Sequence, residues 1–290
     1  MNKTVFDFAL RVFLLCGLIF HGSFIADSCA QTNPYAPDRT KSEKPEKETK
    51  RSAVERDTVP RYGKGRVDLR ASIVFPVQYF GQAEQVNPDA GYAAQGFGIA
   101  AGRFLPFREA SPLGAYFSLG YAQSDATEMN PFIQSLLDEY AAEEGDEDLR
   151  LNRDARPRYH MIPASVGLAF EGSGANVAVY ARFLLHLVWT GMNEFDVTGE
   201  DSGRKTVEVE TGFSSGFGLE FGARFSEVLR VGAGWQYFGR PTMSYSTGSS
   251  DLPSSVFDPL TAGRPVSVLE VNLGYSFNRS LKRRKGARMK

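Results

Sequence analysis

The stretch Val207-Glu-Val-Glu-Thr-Gly-Phe-Ser-Ser-Gly-Phe-Gly-Leu-Glu-Phe-Gly-Ala-Arg-Phe225 decides the fold. Its odd positions are Val207, Val209, Thr211, Phe213, Ser215, Phe217, Leu219, Phe221, Ala223 and Phe225. Its even positions are Glu208, Glu210, Gly212, Ser214, Gly216, Gly218, Glu220, Gly222 and Arg224. A β-strand turns alternate side chains to opposite faces, so this segment reads as one strand with an apolar face and a glycine-and-charge face. A helix, with about 3.6 residues per turn, would scatter the same residues around its axis.

The alternation recurs along the chain. In 66–79 the apolar face is Val67, Leu69, Ala71, Ile73, Phe75, Val77 and Tyr79, opposed by Arg66, Asp68, Arg70, Ser72 and Gln78. In 177–190 it runs Val177, Val179, Ala181, Phe183, Leu185, Leu187, Trp189, opposed by Tyr180, Arg182, His186 and Thr190. Leu229, Val231, Ala233, Trp235 and Tyr237 form another such face, and Leu269, Val271, Leu273, Tyr275 and Phe277 the last. Segments 92–104, 114–123 and 159–170 fit less cleanly. The sum is about eight strands of roughly ten residues, long enough to span a bilayer when tilted. Short connections fall near 105–112, 171–175 and 226–227. Long ones fall near 80–91, 124–157, 191–205 and 241–264. A hairpin hidden in 245–262 would raise the count to ten.

The expected fold is therefore all-β: a closed antiparallel up-and-down transmembrane β-barrel with short turns at one end and long loops at the other. Three features favour membrane over water. The polar face is poor in lysine and rich in glycine, as a narrow lumen requires. Aromatics sit on the apolar face at both strand ends: Tyr79, Tyr121, Trp189 and Tyr237 toward the long loops, and Phe170, Phe225 and Phe277 toward the short turns. Amphipathic rings favour the headgroup level, so these read as two girdles. Finally, Leu269-Glu-Val-Asn-Leu-Gly-Tyr-Ser-Phe277 resembles the C-terminal assembly signal of the outer-membrane β-barrel superfamily, with Gly274, Tyr275 and Phe277 carrying the likeness. The chain departs from that pattern by continuing past Phe277. The resemblance covers roughly 61–277 and is OmpA-like or porin-like in general architecture, with no particular member singled out. It implies a bacterial outer-membrane location, long loops outside, short turns in the periplasm, and a barrel-assembly machinery as partner.

The ends fit export. Lys3 and Arg11 flank a mostly apolar run from Val12 to Ile25, too short to span comfortably, and Ser28-Cys29-Ala30 offers a cleavage site before Gln31. A retained anchor and a lipoprotein built on Cys29 are the competing readings. Both cysteines, Cys16 and Cys29, fall within this 1–30 signal, so the mature chain has no disulfide. Residues 31–60 read as a disordered periplasmic linker, being charged, proline-bearing and almost without apolar residues. Residues 278–290 form a basic tail (Arg279, Lys282, Arg283, Arg284, Lys285, Arg288, Lys290) suited to anionic headgroups. The net charge of −1 thus conceals an acidic body beside a basic tail. The mean hydropathy of −0.28 is too polar for a bundle of membrane helices.

The expected lumen face collects Arg66, Asp68, Arg70, Arg182, His186, Glu208, Glu210, Glu220, Arg224, Arg230 and Glu270. It reads either as a selectivity lining or as a salt-bridge network filling a narrow lumen. Near balance of the two signs suits pairing better. His160 and His186 lack the nearby serine of a lipid deacylase, so no catalytic residue is assigned. Gly212-Phe-Ser-Ser-Gly216 matches a hydrolase pattern but lies mid-strand, where the required sharp turn cannot form. Gly96, Gly98 and Gly218 are interior small residues without nucleotide-site spacing. No metal or cofactor is expected, nor nucleic acid as a partner.

Loop 124–157 is the most distinctive. Asn130-Pro131 starts a helix and Gly145 stops it, with Phe132, Leu136 and Tyr140 on one face. Acids cluster at Asp138, Glu139, Glu143, Glu144, Asp146, Glu147 and Asp148. They read as a docking lid holding cations shared with lipopolysaccharide, or as a solvated helix on the rim. The expected role is structural or interactive, through loops that meet outer-membrane lipid, lipopolysaccharide or an external ligand. The alternatives are a narrow solute channel and, behind it, a lipid-modifying barrel enzyme.

Overall fold

The computed structural model describes residues 65–83, 90–108, 111–144, 149–152, 154–172, 174, 176–199, 203–226, 228–248 and 252–278. The expected signal, the linker, the tail from 279 onward and the helix stop at Gly145 lie outside them. So do the acids Asp146, Glu147 and Asp148 and the side chain of Glu144.

Eight strands close a barrel: β1 (Arg66–Pro76), β2 (Gly96–Pro106), β3 (Leu113–Asp125), β5 (Arg158–Glu171), β6 (Val177–Met192), β9 (Gly212–Phe225), β10 (Leu229–Tyr237) and β12 (Ser267–Asn278). Each pairs antiparallel with the next, and β12 returns to β1 through pairs such as Leu69 with Tyr275 and Val67 with Phe277. Strands of 9 to 16 residues are long enough to span hydrocarbon when tilted. Short connections lie at 107–112, 172–176 and 226–228 on one end; the long ones gather on the other.

The orientation of the faces decides the environment. Val179 is 61 % exposed, Leu168 59 %, Phe221 58 % and Leu273 56 %, and these belong to a continuous outward apolar band. The inward face holds Asp68, Arg182, Glu220 and Arg230, each at most 3 % exposed. A barrel in water would be built the other way round. This one is built for a membrane.

At the long-loop end the chain builds a second layer. It comprises helix α1 (Asn130–Glu144), strands β4 (Arg150–Leu151), β7 (Phe195–Gly199), β8 (Gly203–Glu210) and β11 (Ser244–Ser246), and the one-turn helix α2 (Asp258–Thr261). The four strands form a sheet in the order β11-β8-β7-β4. Phe80, Met129, Ile133, Leu137, Leu149, Val197, Val207, Leu252, Phe257 and Leu260 pack into one apolar core, continuous with Val74, Met161, Val188 and Val268 at the barrel mouth. Each such side chain contributes about 1.5–3 kcal/mol on full burial, so the loops form a folded cap. The described residues of 245–262 supply most of β11, helical turns and part of that core, and none of them joins the barrel sheet.

The cap explains why 207–225 is two strands rather than the expected one. In β9 the odd residues Phe213, Phe217 and Phe221 face outward; in β8 the odd residue Val207 is wholly buried. Between them Glu210 and Thr211 are both exposed, so the alternation slips by one residue. Beside hydrocarbon an apolar side chain is satisfied outside. Above it, water surrounds the chain and the same side chain must turn inward. Strand β1 likewise ends earlier than expected. Beyond Pro76 the chain turns through Gln78–Gly81, so Tyr79 sits in a 3-10 turn, still exposed.

In α1 the buried face is wider than Phe132, Leu136 and Tyr140. Ile133 and Leu137 are fully buried and Leu136 nearly so, while Phe132 and Tyr140 pack at the margin. Gln134 pins the helix to β4, donating to the Leu149 carbonyl at 2.9 Å and accepting from the Leu151 amide at 2.8 Å. The helix is part of the cap's core and does not lie free on the rim. Asp138, Glu139 and Glu143 stay exposed on its outer side.

Candidate functional site

The lumen is built in layers. Nearest the short-turn end, the Glu171 carboxylate is fully buried and receives Arg224 Nη1 at 3.1 Å, Arg182 Nη2 at 3.3 Å and Arg66 Nη1 at 3.5 Å. Arg230 Nη2 donates to it at 2.5 Å. Four guanidinium groups thus share one carboxylate. Asp68 binds Arg182 Nη2 at 2.8 Å and Arg230 Nη1 at 3.0 Å, and accepts from Ser276 Oγ at 2.7 Å. Glu220 pairs with Arg70, lies 3.4 Å from Arg182 Nη1, and accepts from the Tyr180 hydroxyl at 3.1 Å.

Aromatic rings fill the space between the charges. The Arg182 guanidinium stands 3.7 Å from the Tyr116 ring centroid, and Arg182 and Arg230 each lie 4.8 Å from that of Tyr180. Glycine on the facing strand makes room: a Cβ on Gly232 would lie 2.1 Å from the Tyr180 hydroxyl. In so narrow a lumen, bulky charged residues fit only opposite missing side chains.

Toward the cap the lumen turns polar and uncharged. Ser165 Oγ and His186 Nδ1 lie 2.8 Å apart, and His186 Nε2 is 2.7 Å from Gln236 Oε1. With Nε2 protonated toward Gln236, Nδ1 accepts the serine proton. A Cβ on Gly218 would sit 1.7 Å from Gln236 Oε1, so glycine there permits the contact. The arrangement has the form of a nucleophile, a base and an orienting group. It is enclosed between the ionic layer and the apolar cap core, with His186 only 4 % exposed.

Of the residues expected in the lumen, Arg66, Asp68, Arg70, Arg182, His186, Glu220, Arg224, Arg230 and Glu270 point inward. Glu208 and Glu210 do not. They lie on β8 in the cap sheet, exposed, because the register slip at Glu210–Thr211 takes them out of the barrel. The sequence pattern puts Glu171 in the short turn 171–175; in the structure it is the last residue of β5 and holds four arginines. Its parity carried the signal, since Phe170 faces outward and its neighbour must face in. Ser165 and His186 lie 21 residues apart and no local pattern links them; the register of β5 on β6 sets the two opposite each other.

On the outer surface near the cap, Trp189 packs on Phe213 with centroids 5.5 Å apart, Tyr237 on Phe217 at 5.7 Å, and Tyr121 lies 2.7 Å from His160 Nδ1. At the other end, Tyr275 packs on Phe277 at 4.8 Å, and Phe170 and Phe225 face outward. Gly274, Tyr275 and Phe277 lie on the closing strand β12.

The cap's outer surface carries a polar depression of about 420 Å³ walled by Asn152, Asp154, Arg156, Asn193 and Arg204. Asp196 at its edge accepts from Arg204 and from Thr206 Oγ1. The Arg204 hydrogen bond holds the Asp196 carboxyl below the ordinary carboxylate range.

No protein-family model matches the chain, and no curated protein matches it. Among solved structures the chain is similar to Neisserial surface protein A, with 12 % identity over 73 % of this chain and 95 % of that one and a TM-score of 0.37. It is similar to Ail, the attachment invasion locus protein of Yersinia pestis, solved with the heparin analogue sucrose octasulfate (14 % identity, 74 % and 99 % covered, TM-score 0.35). It is also similar to the outer membrane protein OprG from Pseudomonas aeruginosa (12 % identity, 74 % and 96 % covered, TM-score 0.38). At these identities the likeness is one of fold alone, that of a small closed membrane barrel.

Proposed function

We propose that this protein is a non-conducting barrel of a bacterial outer membrane whose role is structural or interactive, carried by a folded cap at the cell surface. The observation that carries the reading is the Glu171 cluster. Four arginines converge on one wholly buried carboxylate, and Asp68 and Glu220 continue the network across the lumen. Such a network fills the cross-section that a solute would need. The apolar cap core closes the other end.

The same layering argues against lipid chemistry at Ser165 and His186, which satisfy each other and Gln236 inside the closed lumen. The outward band and the aromatic pairs at both rims suit contact with outer-membrane lipid and lipopolysaccharide. The β12 strand suits recognition by the barrel-assembly machinery. The cap's polar depression offers an external ligand a concave surface.

The test is conductance of the full-length protein in a planar bilayer. The expected result is a folded protein without stepwise openings. Reproducible single-channel steps would overturn the reading and make the protein a narrow solute channel.

A further inference from the structure

The ladder between β3 and β5 is interrupted. Leu119 pairs with Ala164 and Ala122 with Met161, but Gly120 and Tyr121 do not pair with Pro163 and Ile162, which the register sets opposite them. The other seven ladders of the barrel run without a break. The cause lies in the sequence. At the two ends of this seam the Ala126 amide donates to the Pro157 carbonyl at 2.9 Å and the Glu171 amide to the Pro112 carbonyl at 2.7 Å. Hydrogen-bonded positions alternate in an antiparallel pair, so even residues of β3 bond odd residues of β5. Gly120 and Pro163 fall on such a position. Proline has no N–H, and the Gly120 carbonyl loses the donor that any other residue at 163 would supply. Among the described residues no side chain donates to it instead.

The gap is reachable. Gly120 and Pro163 are partly exposed, and so is Ser165, the next lumen-facing residue of β5, while Ser118, Ala122 and Met161 around them are buried. A Cβ on Gly120 would stand 3.4 Å from Pro163 Cγ, so the glycine leaves room beside the ring. On the outer face at this level, Ile99 opposite Tyr121 is 57 % exposed and Leu187 opposite Ala164 is 50 % exposed, which sets the seam at hydrocarbon depth. There a backbone carbonyl without a donor is costly, because no bulk water replaces the missing partner.

We infer that the β3–β5 seam is a binding site for an uncharged hydroxyl, which donates to the Gly120 carbonyl in place of the missing proline N–H. The ligand is a donor because the group left over is an acceptor. It is uncharged because an ion at this depth is expensive. Two sources carry this chemistry. One is water in the polar layer of Ser165, His186 and Gln236 on the lumen side. The other is the hydroxyl head of an amphiphile on the bilayer side. The site sits in the wall and needs no axial opening, so it stands apart from the question of conductance.

The test is NMR of the full-length folded protein in lipid nanodiscs, reading the Gly120 carbonyl carbon through the Tyr121 amide. The probes are D2O and n-octanol, with octane as the control of equal chain length. An isotope shift that appears at once in D2O, with no response to octanol, assigns the site to water. A saturable shift with octanol and none with octane assigns it to a hydroxyl from the bilayer. A carbonyl indifferent to both probes overturns the inference. Pro163→Val returns an N–H to the ladder and should abolish the response, and a variant that keeps it overturns the inference as well. If Pro163→Val does not fold, the wild-type readings decide alone.

Discussion

Glu171→Gln is the perturbation that weighs most on the lumen. The substitution keeps the shape of the side chain and removes its charge. In the wild type the carboxylate is fully buried and takes Arg66, Arg182, Arg224 and Arg230. Arg182 and Arg230 keep Asp68, and Arg182 keeps Glu220. Glu171 is the only carboxylate with which Arg66 or Arg224 forms a salt bridge among the described residues. Removing one member of a buried pair costs about 3–5 kcal/mol, because the other charge is left uncompensated. Here two guanidinium groups lose their counter-charge together, so the loss belongs at the upper end of that range. A neutral amide still accepts one N–H, which keeps the loss from doubling. Equilibrium urea unfolding in detergent micelles measures it: the midpoint should fall by more than about 1 M at unchanged slope. In a planar bilayer the same variant should begin to leak ions as water enters to solvate the freed arginines. A loss below about 1 kcal/mol with a silent bilayer would refute the reasoning, showing that water already reaches the Glu171 cluster.

Three further outcomes follow from the structure. Leu273→Arg, on the outward face at a site 56 % exposed, should cost about 2–4 kcal/mol in a bilayer, measured by unfolding in lipid; near-neutrality would mean that water bathes that face. Leu137→Ala, in the cap core, should cost about 2–5 kcal/mol and expose cap loops to limited proteolysis while the barrel strands stay protected. The β7–β8 hairpin should loosen in acid: the folded Asp196 carboxyl is held below its unfolded value, so its contribution is present above the unfolded pKa and is lost as pH falls through the folded one. Hydrogen exchange of 195–207 between neutral pH and about pH 3 measures this, and Arg204→Gln should reduce the pH dependence, leaving the part due to Thr206.

Much of the fold was legible because it is periodic. Alternation along Val177–Trp189 and Leu269–Phe277 is a local property, and any eight such segments with apolar residues outward and charges inward must close to satisfy their edges. The helix at Asn130–Pro131 was legible for the same reason, as its start signals are adjacent in the chain. The inward set was legible wherever one parity held throughout a strand. It failed at Glu208 and Glu210, where an unbroken pattern ran through the membrane boundary and the meaning of inside reversed. Nothing in the residues themselves marks that level; the surrounding solvent does.

The sequence alone determined that alternate residues would divide between hydrocarbon and lumen, because side-chain direction follows from strand geometry. Only the tertiary structure decided who meets whom. Asp68 finds Ser276 across 208 residues, Arg70 finds Glu220 across 150, and Ser165 finds His186 through register. It also decided that the long loops fold into a cap with an apolar core of its own. Those pairings depend on closure and stagger of the whole sheet, a global constraint that no local pattern contains.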